Sequence, residues 1–200
     1  MCARAIAKIL LVAGFGFVLY GAGIFAMSEY GQNEAAGNPK TNEVAVPETL
    51  QAAGLAGRLY FPRLNKVLAI YPDDGPNLLK GPVWLKVTAR PGGLGNCIVA
   101  AHRDTHFRFL KEVRVGDIFE MTGPAGRFKY KVSGSQIVDP KNRYFLSPTK
   151  KSVLTLVTCY PFYYVGNAPK RFIIRADLMM DKQVQANSIS PEKASTGETQ

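Results

Sequence analysis

The chain is predicted to fold as an all-β domain, a closed barrel of about eight strands with short helices, preceded by one N-terminal transmembrane helix. Three observations carry this expectation. Short β-rich runs recur between Gly and Pro punctuation through the middle of the chain. Nineteen consecutive residues near the start, ILLVAGFGFVLYGAGIFAM over Ile9–Met27, carry no charge. The stretches outside these two regions are polar and lack hydrophobic periodicity.

Residues 1–8 are expected on the cytoplasmic side and 9–27 in the bilayer, because an apolar run of about 20 residues is what a spanning helix needs. Arg4 and Lys8 precede the run and Glu29 follows it, which by the positive-inside rule places everything after Ser28 outside the cell. A clean A-x-A cleavage site is absent, and Cys2 lies before the apolar run, where it is no lipoprotein acceptor. Residues 28–54 read as a spacer holding a domain off the membrane. The folded unit spans 55–180, and 181–200 form a loose polar tail.

Within the folded unit the expected strands are Gly57–Phe61, Lys66–Ile70, Val83–Val87, Cys97–Ala101, Ile118–Met121, Arg127–Val138, Val153–Thr158 and Arg171–Leu178. Their spacing suits a closed barrel. Helix is confined to a short turn near Phe107–Glu112, ahead of the turn at Val115–Asp117.

The formal charge of +10 would attract an anionic membrane face or a wall polymer. It does not point to nucleic acid, because the basic residues are scattered and no helix-turn-helix or zinc-finger spacing is present. Three cysteines are too few for a disulfide framework, so each thiol needs its own account.

A thiol with an ordinary pKa near 8.5 is mostly protonated at neutral pH and needs a neighbouring cation or base to act as a nucleophile. Cys159 ends the strand Val153–Thr158, His102 follows the apolar run Cys97–Ala101, and Arg171 opens the strand Arg171–Leu178. Strand ends gathered on one rim of a barrel would bring thiol, imidazole and guanidinium together. Taken singly, each has a plainer reading: a buried small core residue for Cys159, a polar turn residue for His102, a surface charge for Arg171. Cys97, inside an apolar run, reads as core filler. After Cys159 comes Tyr160-Pro161-Phe162-Tyr163-Tyr164, an aromatic segment expected to wall a groove beside the thiol.

Cys97, His102, His106 and Cys159 are also zinc-type ligands. Five positions separate Cys97 from His102, so on one strand they would face opposite sides of a sheet, and Asp104-Thr105 does not favour the helix that His102 and His106 would need to converge. No metal and no cofactor is expected.

The segment GNCIVAAHRDTHFRFL at Gly95–Leu110, the run TLVTC at Thr155–Cys159, TCYPF at Thr158–Phe162 and APKRFIIRA at Ala168–Ala176 resemble the signature of the sortases, membrane-anchored cysteine transpeptidases, and most closely their class D and E branches. The likeness covers about Gly57–Leu178. It implies a sortase-type barrel, with Cys159 as nucleophile, His102 as the acid and base, and Arg171 as the group that holds the substrate backbone. Thr158, Tyr160, Ala101 and Asp104 are the expected substrate-binding neighbours, Tyr160 through its backbone amide. Ala101 stands where many members have glycine, a change that matters only if the position needs positive φ. Core packing is the role expected of Trp84.

The implied partners are proteins with a C-terminal sorting signal of the L-P-x-T-G kind and an amine acceptor, a peptidoglycan precursor or a pilin lysine. The implied location is a cell membrane, with the catalytic domain extracytoplasmic. The loop Val138–Lys150 is expected to contact the signal. Two rival readings remain: a cysteine endopeptidase that uses the same residues, and a barrel that binds peptides or wall polymers without turnover. A redox module would want a C-x-x-C pair, which the chain lacks.

Overall fold

The computed structural model describes residues 2–36, 50, 52–73 and 76–179. Positions 37–49 of the expected spacer, and the expected tail 181–200, lie outside the described residues.

The chain begins with an α-helix, α1, over Cys2–Ala36. It contains all of the uncharged stretch and runs past Ser28, so the first part of the expected spacer is helical. Glu29, Gln32, Glu34, Ala35 and Ala36 have good helix propensity, which a reading for polarity alone passes over. Among the described residues no helix is long and apolar enough to cross a membrane.

Eight strands follow and close on themselves: β1 Gly57–Phe61, β2 Lys66–Pro72, β3 Val83–Trp84, β4 Asn96–Ala100, β5 Ile118–Gly123, β6 Gly126–Val138, β7 Val153–Tyr160 and β8 Lys170–Leu178. Their order around the barrel is β1-β2-β3-β4-β7-β8-β6-β5, closed by antiparallel pairing of β1 with β5. Most contacts are antiparallel, but β2 with β3 and β4 with β7 run parallel. Helix inside the domain is limited to 3₁₀ turns at Pro62–Leu64, Pro76–Leu79, Arg108–Glu112 and Tyr144–Leu146.

The third strand is shorter than expected, two residues instead of five. The chain turns at Lys86-Val87, where Thr88 Oγ1 donates to the Leu85 carbonyl at 2.6 Å and accepts the Ile98 N–H at 3.1 Å, taking up the ladder groups that a longer strand would use. Trp84 packs against the core and also donates from Nε1 to the Ala89 carbonyl at 3.0 Å.

Period-two alternation sorts the strands into two faces. Cys97 and Val99 of β4, Leu154 and Leu156 of β7, and Ile174 and Ala176 of β8 fill the interior with Leu59, Phe61, Phe119 and Tyr130. Each large apolar side chain buried this way contributes about 1.5–3 kcal/mol. Gly92 lets the chain come close to that core: its φ is +78°, a Cβ there would meet the Phe128 ring at 2.1 Å, and its N–H donates to the Tyr130 hydroxyl at 2.9 Å.

The outer face of β4, β7 and β8 is buried too. Ile98, Val157 and Ile173 form a second cluster, covered by Phe145 and Leu146 from the connection between β6 and β7. Asn96, on the same face, donates from Nδ2 to the carbonyls of Phe145 at 2.8 Å and Ser147 at 3.2 Å, and accepts from Thr155 Oγ1 at 2.6 Å. Both faces of β7 are therefore closed from Val153 to Thr158, and only its last two residues, Cys159 and Tyr160, come partly into the open.

Candidate active site

The parallel register of β4 on β7 pairs Ala100 with Val157. The ladder continues one step beyond β4, because the Ala101 N–H donates to the Val157 carbonyl at 3.2 Å and Thr158 Oγ1 donates to the Ala101 carbonyl at 2.7 Å. His102 therefore leaves the ladder at the level where Cys159 ends β7. On the other side, the antiparallel register pairs Cys159 directly with Arg171. Thiol and guanidinium thus sit on neighbouring strands and the imidazole just past the end of a third, all at one level, and neighbouring strands are about 4.8 Å apart.

Alternation also fixes which way the thiol and the guanidinium point. Leu154 and Leu156 face the interior, so Val157 and Cys159 face outward, as do Ile173 and, opposite Cys159, Arg171. They open into a groove of about 320 Å³ lined by His102, Arg103, Asp104, Cys159, Arg171 and the segment Gly166–Ala168. His102, Cys159 and Arg171 are each half-buried there. Arg171 Nη1 donates to the carbonyls of Ala168 at 3.3 Å and Lys170 at 3.0 Å, which fixes the head of the side chain beside the groove.

Of the expected substrate-binding neighbours, Asp104 lines the groove, whereas Tyr160, next in the chain to Cys159, is not among its lining residues. Thr158 and Ala101 are 2% and 6% exposed and bond to each other beneath the groove, where they tie the two strands that carry Cys159 and His102. Among the described residues outside glycine only Asn65 has positive φ, so Ala101 suits its position without strain.

The aromatic segment does not wall the groove. Tyr160 and Phe162 pack on Phe172, with ring centres 6.3 and 5.3 Å from it, and Phe162 and Phe172 extend the interior core. The groove wall comes instead from Gly166, Asn167 and Ala168, which a reading for aromatic residues passes over. Tyr163 is exposed and held from below: Lys111 Nζ donates to its hydroxyl at 2.5 Å, and Arg108 lies 5.2 Å from its ring centre. The bond from Lys111, and then the one from Arg108, holds this phenol below the usual tyrosine range.

Cys97 is separate from the groove. It is 1% exposed inside the barrel, and burial pushes its thiol up to about 12. Cys97 and His102 do not share a strand, since β4 ends at Ala100 and His102 lies beyond it, so strand alternation does not by itself keep them apart. Among the described residues no group of three or more His, Cys, Asp or Glu side chains is placed to hold a metal ion.

Comparison with known proteins puts this arrangement among relatives. The family described as Sortase domain matches residues 59–179. Sortase D of Bacillus subtilis (strain 168) is 39% identical over 130 residues, which cover 64% of this chain and 64% of that protein, a little under two thirds of its length. Sortase C1 of Streptococcus agalactiae superposes with a TM-score of 0.59 at 26% identity, covering 80% of this chain and 86% of that one. Sortase C from Clostridium perfringens SM101 superposes at 0.55 with 27% identity, covering 63% of this chain and 70% of that one.

Proposed function

The chain belongs to the sortase family, and from that premise we propose that it is a membrane-anchored cysteine transpeptidase that cleaves a C-terminal sorting signal of the L-P-x-T-G kind and passes the protein to an amine. The observation that carries this reading is that His102, just past the end of β4, lines one groove with Cys159 and Arg171 of the paired strands β7 and β8.

The chemistry is acyl transfer. The Cys159 thiolate attacks the scissile carbonyl between Thr and Gly of the signal, and the tetrahedral intermediate collapses to a thioacyl enzyme. His102 as imidazolium gives its proton to the departing amine, then as neutral imidazole takes one from the incoming amine. Arg171, with the Tyr160 backbone amide, stabilises the oxyanion and holds the substrate backbone. Asp104 lines the same groove and is placed to contact a peptide entering it. One protonated and one deprotonated partner are needed together, so activity is bell-shaped in pH. No cofactor enters this scheme.

The connection between β6 and β7 contributes to recognition of the signal, since its Phe145 and Leu146 cover the same outer face from which Cys159 and Arg171 emerge. The support for the anchor is in the sequence: the uncharged stretch Ile9–Met27, with Arg4 and Lys8 before it and Glu29 after it, suits membrane attachment with the barrel on the outer side. The acceptor is an amine of the cell envelope, a peptidoglycan precursor or a pilin lysine.

The test is to incubate the protein with L-P-x-T-G and L-P-x-T-A peptides and an amine, and to follow products by mass spectrometry. A Thr-linked amine adduct, absent with Cys159→Ala, is expected. Free acid alone would make the protein a hydrolase, and no product with an unreactive thiol would make it a binding barrel.

A further inference from the structure

The groove wall at Gly166–Ala168 belongs to the long connection between β7 and β8, and that connection is tied to the chain on the far side of Cys159. Arg103, next in sequence to His102, reaches across. Its Nη2 donates to the carbonyls of Tyr164 at 2.8 Å and Gly166 at 3.1 Å, and its guanidinium carbon lies 5.7 Å from the centre of the Tyr164 ring. Its Nη1 is buried and without a hydrogen-bond partner among the described residues. A surface arginine leaves its nitrogens in water; here one of them is buried where the two loops meet.

A second tie runs the same way. Arg108 and Lys111, from the 3₁₀ turn that follows the histidine loop, hold the Tyr163 ring and hydroxyl. Both ties lead from the segment after His102 to the segment between Cys159 and Arg171. Two residues beyond the Gly166 carbonyl stands Ala168, whose carbonyl receives Arg171 Nη1. The loop that Arg103 holds is therefore the loop that holds Arg171.

We propose that Arg103, together with Tyr163, clasps the Pro161–Pro169 loop to the histidine loop, and that Arg103 is in this way a positioning residue for Arg171 across the groove. The proposal rests on the reading of that groove as the active site. Arg103 acts through backbone carbonyls, so what counts is its planar head and its reach, and charge alone does not replace it.

The experiment measures backbone 15N order parameters and peptide turnover on the full-length protein. Arg103→Ala is expected to drop the order parameters of Tyr163–Ala168 below about 0.6 while β7 and β8 stay at about 0.85. Tyr163→Ala, chemically unrelated, loosens the same residues, and the double variant falls short of the sum of the two single effects. In turnover, Arg103→Ala lowers kcat/KM about ten- to a hundredfold, mainly through kcat, because the group displaced is the one that stabilises the transition state. Arg103→Lys restores little of either readout. Unchanged order parameters at Tyr163–Ala168 would overturn the clasp. A loosened loop with unaltered kcat would overturn its positioning role. Should the unsubstituted protein turn over no peptide at all, the transpeptidase reading fails, and the order parameters decide the clasp by themselves.

Discussion

Cys97 and Cys159 lie on neighbouring parallel strands, one near the start of β4 and one at the end of β7, and they have little in common. Cys97 faces the barrel interior, is 1% exposed, and is pushed up to about 12 by burial. Cys159 faces the other side of the sheet, is half-buried, and stands opposite Arg171 in a groove that His102 also lines. Two features make the difference. Parity along the strand decides whether a side chain meets the core or the outer face, and the point where the covering connection stops decides whether the outer face is open.

The most severe way to break this contrast is to remove the outward thiol. Cys159→Ala should reduce transfer and cleavage to background, a loss of about a thousandfold or more, while Cys97→Ala keeps near-normal turnover. A mass-spectrometric product assay with both variants checks it, and retained activity in Cys159→Ala would end the assignment. Next comes the partner: Arg171→Ala should lower kcat by about 10²–10³-fold while leaving the thermal midpoint close to that of the unsubstituted protein, because the lost contacts are two carbonyl bonds at the surface of the sheet.

A smaller effect sharpens the structural half. Thr155→Val leaves Asn96 Oδ1 without its donor under the covering connection, and should cost about 1–3 kcal/mol in urea unfolding. The last concerns the inward thiol alone and shows only at alkaline pH. Cys97 keeps its proton in the folded state to a pH of about 12, whereas the unfolded chain gives it up in the ordinary thiol range. Above that range the folded state holds more protons, so stability declines as pH rises toward 12. Cys97→Ala should flatten that decline when unfolding is compared at neutral and alkaline pH. Part of the slope remains, because burial also pushes Tyr130 up to about 12.

The fold was legible in the sequence where local signals suffice. Gly and Pro punctuation places all eight strands, and the residues of the groove that come from strand ends, Cys159 and Arg171, stand out by position. The parallel pairing of β4 with β7 was not legible, because it joins segments more than fifty positions apart and no local pattern reports it. Yet this pairing brings His102 to Cys159. Thr158 and Ala101 look like groove residues because they adjoin Cys159 and His102 in the chain, but parity and depth turn them into a tie beneath the groove. Arg103 was visible in the sequence only as the neighbour of His102; its contacts with Tyr164 and Gly166 span about sixty positions.

Asn96 has a consequence for engineering. Its amide grips two carbonyls near the middle of the connection between β6 and β7, at Phe145 and Ser147, while its oxygen is held by β7. That connection is thus stapled at its midpoint and works as two short, separate modules. Residues 139–144 and 148–151 close on the same fixed point from opposite sides, so a library that varies one half at a time leaves the other half held where it is.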